Sequence, residues 1–278
     1  MSLSVPVLFT ATGLGLSLSM SAAWLLQRRT GQSGWIDATW SFSVGAAGAT
    51  LALAPLGRGD PSGRQLLVAA AVLTASLRLG LHIARRSLNA PEDPRYAAFA
   101  REWGAAFSRR LFWFLQIQAA CAFLLAMTVY LAARNPAPFG GGSDGLGAGL
   151  LLMAIIGEGW ADASLAQFRA QPSNRNGVCE LGPWAWSRHP NYFFEWLSWL
   201  GYALLAIDPS GAWPQGWFAF CGPALMYWLL AHVSGVPPLE KHMVATRGDA
   251  YRRYQARVSA FFPWPPRKAR KLAEDSSR

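Results

Sequence analysis

Residues 184–202 read WAWSRHPNYFFEWLSWLGY. Three polar side chains, Arg188, His189 and Asn191, stand against an aromatic helix that carries one carboxylate, Glu195. Asn191 and Glu195 are four residues apart, so a helix places them on one face, one turn from each other. Ionic and amide groups at the mouth of an apolar segment are expensive to bury unless paired, and they mark a pocket by default. The plainer reading is an interfacial anchor, with Arg188 on lipid phosphate and the tryptophans in the headgroup belt. Further ionisable groups fall inside or beside apolar stretches: Asp37, then Arg78, His82 and Arg85 at successive turns, then Glu158 and Asp162 followed by Gln167 and Arg169. Each has a structural reading as well: an Arg78–Glu158 ion pair, a helix–helix hydrogen bond at His82, a helix cap at Asp37. As a set, they point to one polar cavity near one membrane face.

The residue types suggest what such a cavity would hold. Arg85, Arg95, Arg169 and Arg175 suit bidentate contacts to phosphate. A carboxylate grips a ribose hydroxyl or a carboxamide NH₂, and Asn191 can pair with a nicotinamide amide or an adenine edge. A phosphate-rich nucleotide such as NADPH uses this much arginine, whereas S-adenosylmethionine carries no phosphate. Arginine near the ribose favours the 2′-phosphorylated form.

These groups need helices to carry them. The chain has 278 residues, is 52% hydrophobic and 14% charged, and contains fourteen Trp and fifteen Phe, which places it in the membrane class. Seven apolar stretches approach the length needed to cross about 30 Å of hydrocarbon: Leu3–Leu26, Trp35–Leu56, Leu66–Ala84, Leu111–Ala133, Gly145–Gln167, Tyr192–Ile207 and Trp213–Val233. Alternating sides, the connecting segments carry twenty-one Lys and Arg on one side and three (Arg58, Arg64, Arg134) on the other. That bias predicts an outside N-terminus and a cytosolic C-terminus. The net charge of +10 then serves orientation and anionic lipid, and no nucleic-acid partner is expected.

The predicted fold is all-α: one seven-helix membrane domain over 1–266, then a charged, disordered tail over 267–278. No basic region precedes the first apolar run, so no cleavable signal peptide is expected. Cys121, Cys179 and Cys221 lack metal spacing and read as small hydrophobes; no metal is expected. Residues 136–149, rich in Gly and Pro, read as a flexible outer loop, and Gly145 and Gly149 form a GxxxG that would permit close helix packing. The glycines make neither a dinucleotide-binding GxGxxG nor a P-loop. Loop 85–110 is amphipathic with a turn at 91–94. The tail reads as a helix from Pro237-Pro238 through Glu240, a basic helix through Tyr251 and Tyr254, and a Phe261-Phe262-Pro263-Trp264 cluster returning to the membrane surface.

Several of these segments resemble a known family. WIDATW (35–40), RLGLHIARR (78–86), EDPRY (92–96), ADASLAQFR (161–169), GPWAWSRHPNYFFEW (182–196), SGVPPLEKHM (234–243) and YRRYQARVSAFFPWPP (251–266) are similar to the bacterial DUF1295 membrane proteins. Those belong with the steroid 5-alpha-reductase C-terminal-domain proteins. The resemblance implies a seven-helix fold and NADPH-dependent reduction of a carbon–carbon double bond conjugated to a carbonyl in a hydrophobic substrate entering from the bilayer. It places the catalytic acid at Asp37. The steroid enzymes' carbonyl-polarising tyrosine falls at His82, a departure that puts a steroid substrate in doubt. Its cofactor-binding pattern falls on Arg85, Arg95, Asp162, Arg169, Asn191, Glu195 and Tyr254, and the motif segments add Tyr96, Arg188, His189 and Tyr192. The RHPNY stretch also looks like the isoprenylcysteine and phospholipid methyltransferases, which bind S-adenosylmethionine. Where those enzymes carry paired glutamates, this chain reads Glu240-Lys241. A non-enzymatic lipid-binding protein is the third class.

Overall fold

The computed structural model describes residues 4–56, 60–89, 92–175 and 177–267. Arg58, Pro91, Leu3 at the start of the first expected span, and the expected disordered tail from residue 268 lie outside them. Among the described residues the chain is all-helical, with no strand beyond an isolated bridge between Ser187 and Ser259. The chain divides into two compact units, Met1–Leu151 with Trp199–Leu225, and Leu152–Ser198 with Met226–Arg278.

In the first unit, α1 (Val5–Thr30), α2 (Gly34–Leu53), α3 (Gly63–Asn89) and α5 (Phe107–Ala133) pack together, with α2 touching the other three. Small residues on α2 let the neighbours close in. A Cβ added at Gly45 would lie 2.5 Å from the Ser76 side chain. Ser19 and Ser43 share a hydrogen bond of 2.6 Å, and Ser17 donates to Gln116 at 2.7 Å, the short polar links that join helices in lipid. The short α4 (Pro94–Trp103) is capped by Asp93, whose side chain accepts from the Arg95 amide.

Among the described residues, five helical segments are long and apolar enough to cross a membrane: Val5–Thr30, Gly63–Leu88, Arg95–Ala133, Gly142–Ala170 and Pro214–Arg257. The second and sixth expected spans form helices outside this set. α2 is Gly-, Ala- and Ser-rich because its neighbours, rather than lipid, cover much of it. α7 (Pro190–Leu205) has 16 residues, which at 1.5 Å each reach about 24 Å.

The expected flexible outer loop is instead pinned. Arg64 pairs with Asp144 through two hydrogen bonds of 2.8 Å and donates to the carbonyls of Asn135 (2.6 Å) and Ala137 (2.7 Å), with both charged side chains buried. The GxxxG expectation also moves. Cβ atoms at Gly145 and Gly149 would meet open space, whereas one at Gly147 would lie 2.8 Å from the Gly201 carbonyl. The close crossing of α6 (Gly142–Ala170) and α7 therefore runs through Gly147 and Gly201.

The second unit holds the remainder of α6 and α7, the segment 171–189, the end of α8 (Cys221–Trp228), a π-helical turn at 229–233, and α9 (Val236–Arg257). α9 is kinked at Gly248, whose φ of 53° only glycine adopts readily. The apolar run ends at the π turn. α9 carries Glu240, Lys241, Arg247, Asp249, Arg252, Arg253 and Arg257, so it lies beyond the spanning part. Phe261 is buried and packs edge-to-face on Phe193, Trp196 and Tyr227, so this part of the aromatic cluster docks onto protein, while Trp264 is 70% exposed.

Candidate functional site

In the first unit the start of α2, the end of α3 and the start of α4 meet around Asp37. Its carboxylate accepts from the Tyr96 hydroxyl at 3.0 Å and from the Arg95 guanidinium. Arg95 also grips Asp93, Nε and Nη2 each donating at 3.0 Å, and Arg86 stands 3.5 Å from the same carboxylate. Burial works to raise the Asp93 pKa, but the hydrogen bonds and charge of Arg95, with Arg86 behind, hold it below the usual carboxylate range. Glu92 accepts from the Ser33 amide at 3.0 Å and Ser87 donates to the Gly34 carbonyl at 2.9 Å, which ties the α1–α2 turn to the far end of α3. Tyr96 is buried, with its ring edge-on to Phe99.

The sequence grouped Tyr96 with cofactor binding and gave the tyrosine's part to His82. In the structure, the phenol on Asp37 is that of Tyr96. The available signal was the position of Tyr96 immediately after Arg95 in EDPRY. His82 lies on α3 between Arg78 and Arg85, both His82 and Arg85 being exposed.

The second cluster centres on a residue that the sequence did not select, Glu240. Its carboxylate accepts from Arg188 Nε at 2.6 Å and Gln255 Nε2 at 2.9 Å, and it stands 3.2 Å from His189 Nε2. Arg188 also donates to the Gln255 carbonyl at 3.1 Å and to the Val258 carbonyl at 2.5 Å. Burial would raise the Glu240 pKa; the hydrogen bonds from His189 and Arg188 and the charge of Arg188 outweigh it and hold the group down to about 2. Arg188 thus clasps the RHPNY segment to α9, with much of its donor capacity engaged by protein. Tyr254 has a similar strut role: it is buried and donates to the Trp184 carbonyl at 2.5 Å. The signal for Glu240 was the Pro-Pro-Leu-Glu opening of α9, which sets a carboxylate just past its first turn.

His189 is 1% exposed and stacked on Tyr192, with rings 5.5 Å apart and 8° from parallel. A carboxylate accepts only, so the proton of neutral His189 sits on Nε2 and its Nδ1 lone pair is an acceptor. Nδ1 is buried and has no hydrogen-bond partner among the described residues. Burial pushes the imidazole pKa down further than Glu240 raises it, which keeps the ring neutral and that lone pair available. A buried orphan acceptor fits a ligand N–H or O–H.

Around this clasp stand the remaining sequence candidates. Asn191, Tyr192 and Glu195 occupy the first turns of α7 and are half-buried. Asp162 is half-buried on α6, and Arg169 and Arg175 are exposed beyond it. The Trp184 indole donates to the Ala161 carbonyl at 2.8 Å, which fixes the 182–189 segment next to Asp162. The structure therefore gathers the candidates into two clusters, Asp37 with Arg95 and Tyr96 in one unit, Arg188, His189 and Tyr254 in the other. Among the described residues no group of three His, Cys, Asp or Glu could hold a metal ion.

No curated protein and no solved structure matches this chain. A family model described as a protein of unknown function (DUF1295) matches residues 23–258. That match covers nearly the whole chain, and the protein belongs to the DUF1295 family.

Proposed function

We propose that this protein is an NADPH-dependent reductase of a cytoplasmic membrane, acting on a carbon–carbon double bond conjugated to a carbonyl in a hydrophobic substrate. The observation that carries the reading is the Asp37 carboxylate held between a buried phenol and a guanidinium. Hydride addition to the β-carbon of such an alkene builds enolate charge on the carbonyl oxygen, and a fixed hydrogen-bonding group aimed at that charge is the main aid a protein can give. The Tyr96 hydroxyl, which donates to Asp37 in the structure, turns its proton to that oxygen when substrate binds, with the His82 imidazole as a second donor and the Arg95–Asp37 pair holding the phenol in place.

NADPH, when bound, supplies a hydride to the β-carbon, and a proton from solvent completes the α-carbon. The chain's residues do the rest. In the second unit the exposed guanidiniums of Arg169 and Arg175 meet phosphates. Asp162, Asn191 and Glu195 grip ribose and amide groups, and the orphan Nδ1 of His189 accepts from the nucleotide. In this reading seven segments cross the bilayer, α2 and the short α7 among them, with the N-terminus outside and α9 in the cytosol. The substrate arrives laterally from lipid.

The test is NADPH oxidation by detergent-purified protein, followed by absorbance, with steroid, polyprenoid and fatty-acyl enones as substrates. Enone-dependent oxidation that is lost in Asp37→Asn supports the reading. Methyl transfer from S-adenosylmethionine to a lipid acceptor, with no NADPH oxidation, replaces it with the methyltransferase class.

A further inference from the structure

α5 presents an outward stripe with an unusual order of chemistry. Arg109 and Arg110 are exposed near its start, and along the same face follow Trp113 (63% exposed), Ile117 (63%), Ala120 and Leu124 (53%). The spacing from Arg110 is three, four, three and four residues, so these side chains lie in one row along the helix. The upper part of the row borders a groove lined by Trp103, Arg109, Arg110, Trp113, Phe114 and Ile117.

The groove has a firm wall. α4 ends at Trp103, and Gly104, at φ 48°, turns the chain into α5. Trp103 stacks on Phe99 with rings 4.6 Å apart and 3° from parallel, and both meet Phe114 edge-on. Neither Arg109 nor Arg110 has an ion-pair or hydrogen-bond partner among the described residues. Their situation differs from that of Arg64, Arg95 and Arg188, each of which is held by a carboxylate.

We infer that this groove binds one anionic phospholipid, its phosphate between Arg109 and Arg110 and an acyl chain along Trp113, Ile117 and Leu124. Two uncompensated positive charges at one end of an apolar row match an anionic head on an apolar tail. A soluble phosphate compound would use the arginines and leave the row unexplained. A zwitterionic lipid would use the row but bring its own cation beside the arginines, leaving the net charge of the pair unchanged, whereas a singly anionic lipid halves it. The packed rings of Trp103, Phe99 and Phe114 give the site a fixed aromatic side beside α5, which distinguishes it from the bulk annulus. The inference is separate from the reductase reading and needs only that α5 crosses the membrane.

Native mass spectrometry of the full chain in detergent tests it, with dioleoylphosphatidylglycerol, dioleoylphosphatidylcholine and inorganic phosphate as probes. One phosphatidylglycerol should be retained in preference to phosphatidylcholine, and millimolar inorganic phosphate should not displace it. R109Q/R110Q should weaken phosphatidylglycerol on the order of 30-fold, from about 1 kcal/mol per basic residue at a membrane surface, with phosphatidylcholine unchanged. Should the double variant lose its fold, Arg110→Gln alone is expected to weaken it roughly fivefold. Equal retention of the two lipids, displacement by inorganic phosphate, or unaltered phosphatidylglycerol binding in the folded variant would each overturn the inference.

Discussion

Tyr96 and Glu240 are the two side chains whose partners give this protein its local chemistry. Tyr96→Phe keeps the ring against Phe99 and removes only the hydroxyl that Asp37 accepts. The protein should remain folded, with a stability loss of about 1 kcal/mol for one hydrogen bond. Under the reductase reading, turnover should fall on the order of 100-fold while NADPH affinity holds; a full rate in this variant would remove the phenol from the chemistry. Glu240 is tested through pH. Its folded pKa, about 2, lies below the 4.5 of the free group, so its contribution is present above 4.5 and lost as pH falls toward 2. The His189 pKa lies below 6.5 in the folded state, so protonation of the unfolded chain begins to erode stability below pH 6.5. Both act in one direction, and unfolding midpoints should drop stepwise on acidification from neutral. Glu240→Ala strips the carboxylate from Arg188 and His189, and should cost roughly 2 kcal/mol, less than a fully buried pair would. A flat acid profile in wild type would contradict the clasp.

Helix contacts in this chain are set by small residues in places that motif reading misses. Gly147→Ala drives a Cβ to 2.7 Å from Leu205 Cγ and 2.8 Å from the Gly201 carbonyl, and should destabilise by about 1–3 kcal/mol. Gly145→Ala, facing open space, should be near neutral when the two are compared by thermal unfolding in detergent. Equal effects would put the crossing elsewhere. Period and composition made the α-helical character, the turn before α4 and the two-part tail helix legible, because apolar runs, Asp93-Pro94, and the paired prolines and basic run of the tail are local signals. The 136–149 loop was misread as flexible because its rigidity comes from Arg64, about eighty residues from Asp144. Glu240 was missed for the same reason. Its partners, Arg188 and His189, lie on the other side of a whole apolar hairpin, and no local pattern announces such a pairing.

Across the whole molecule, one-sided basic charge and apolar segments define the orientation proposed here. In a cysteine-free background, an impermeant maleimide should label S143C in intact cells, and S173C only after the membrane is opened. The reverse pattern would invert the orientation. The arginines at the ends of α3, α5 and α6 then share one compartment with α9, the compartment in which a phosphorylated dinucleotide is dissolved. Binding of NADPH to detergent-purified protein, read by native mass spectrometry beside S-adenosylmethionine, decides whether this protein takes a phosphorylated dinucleotide. One NADPH per chain is expected, weakened by Asn191→Ala and Glu195→Ala in folded protein. Saturable binding of S-adenosylmethionine alone, or of neither compound, would contradict that expectation.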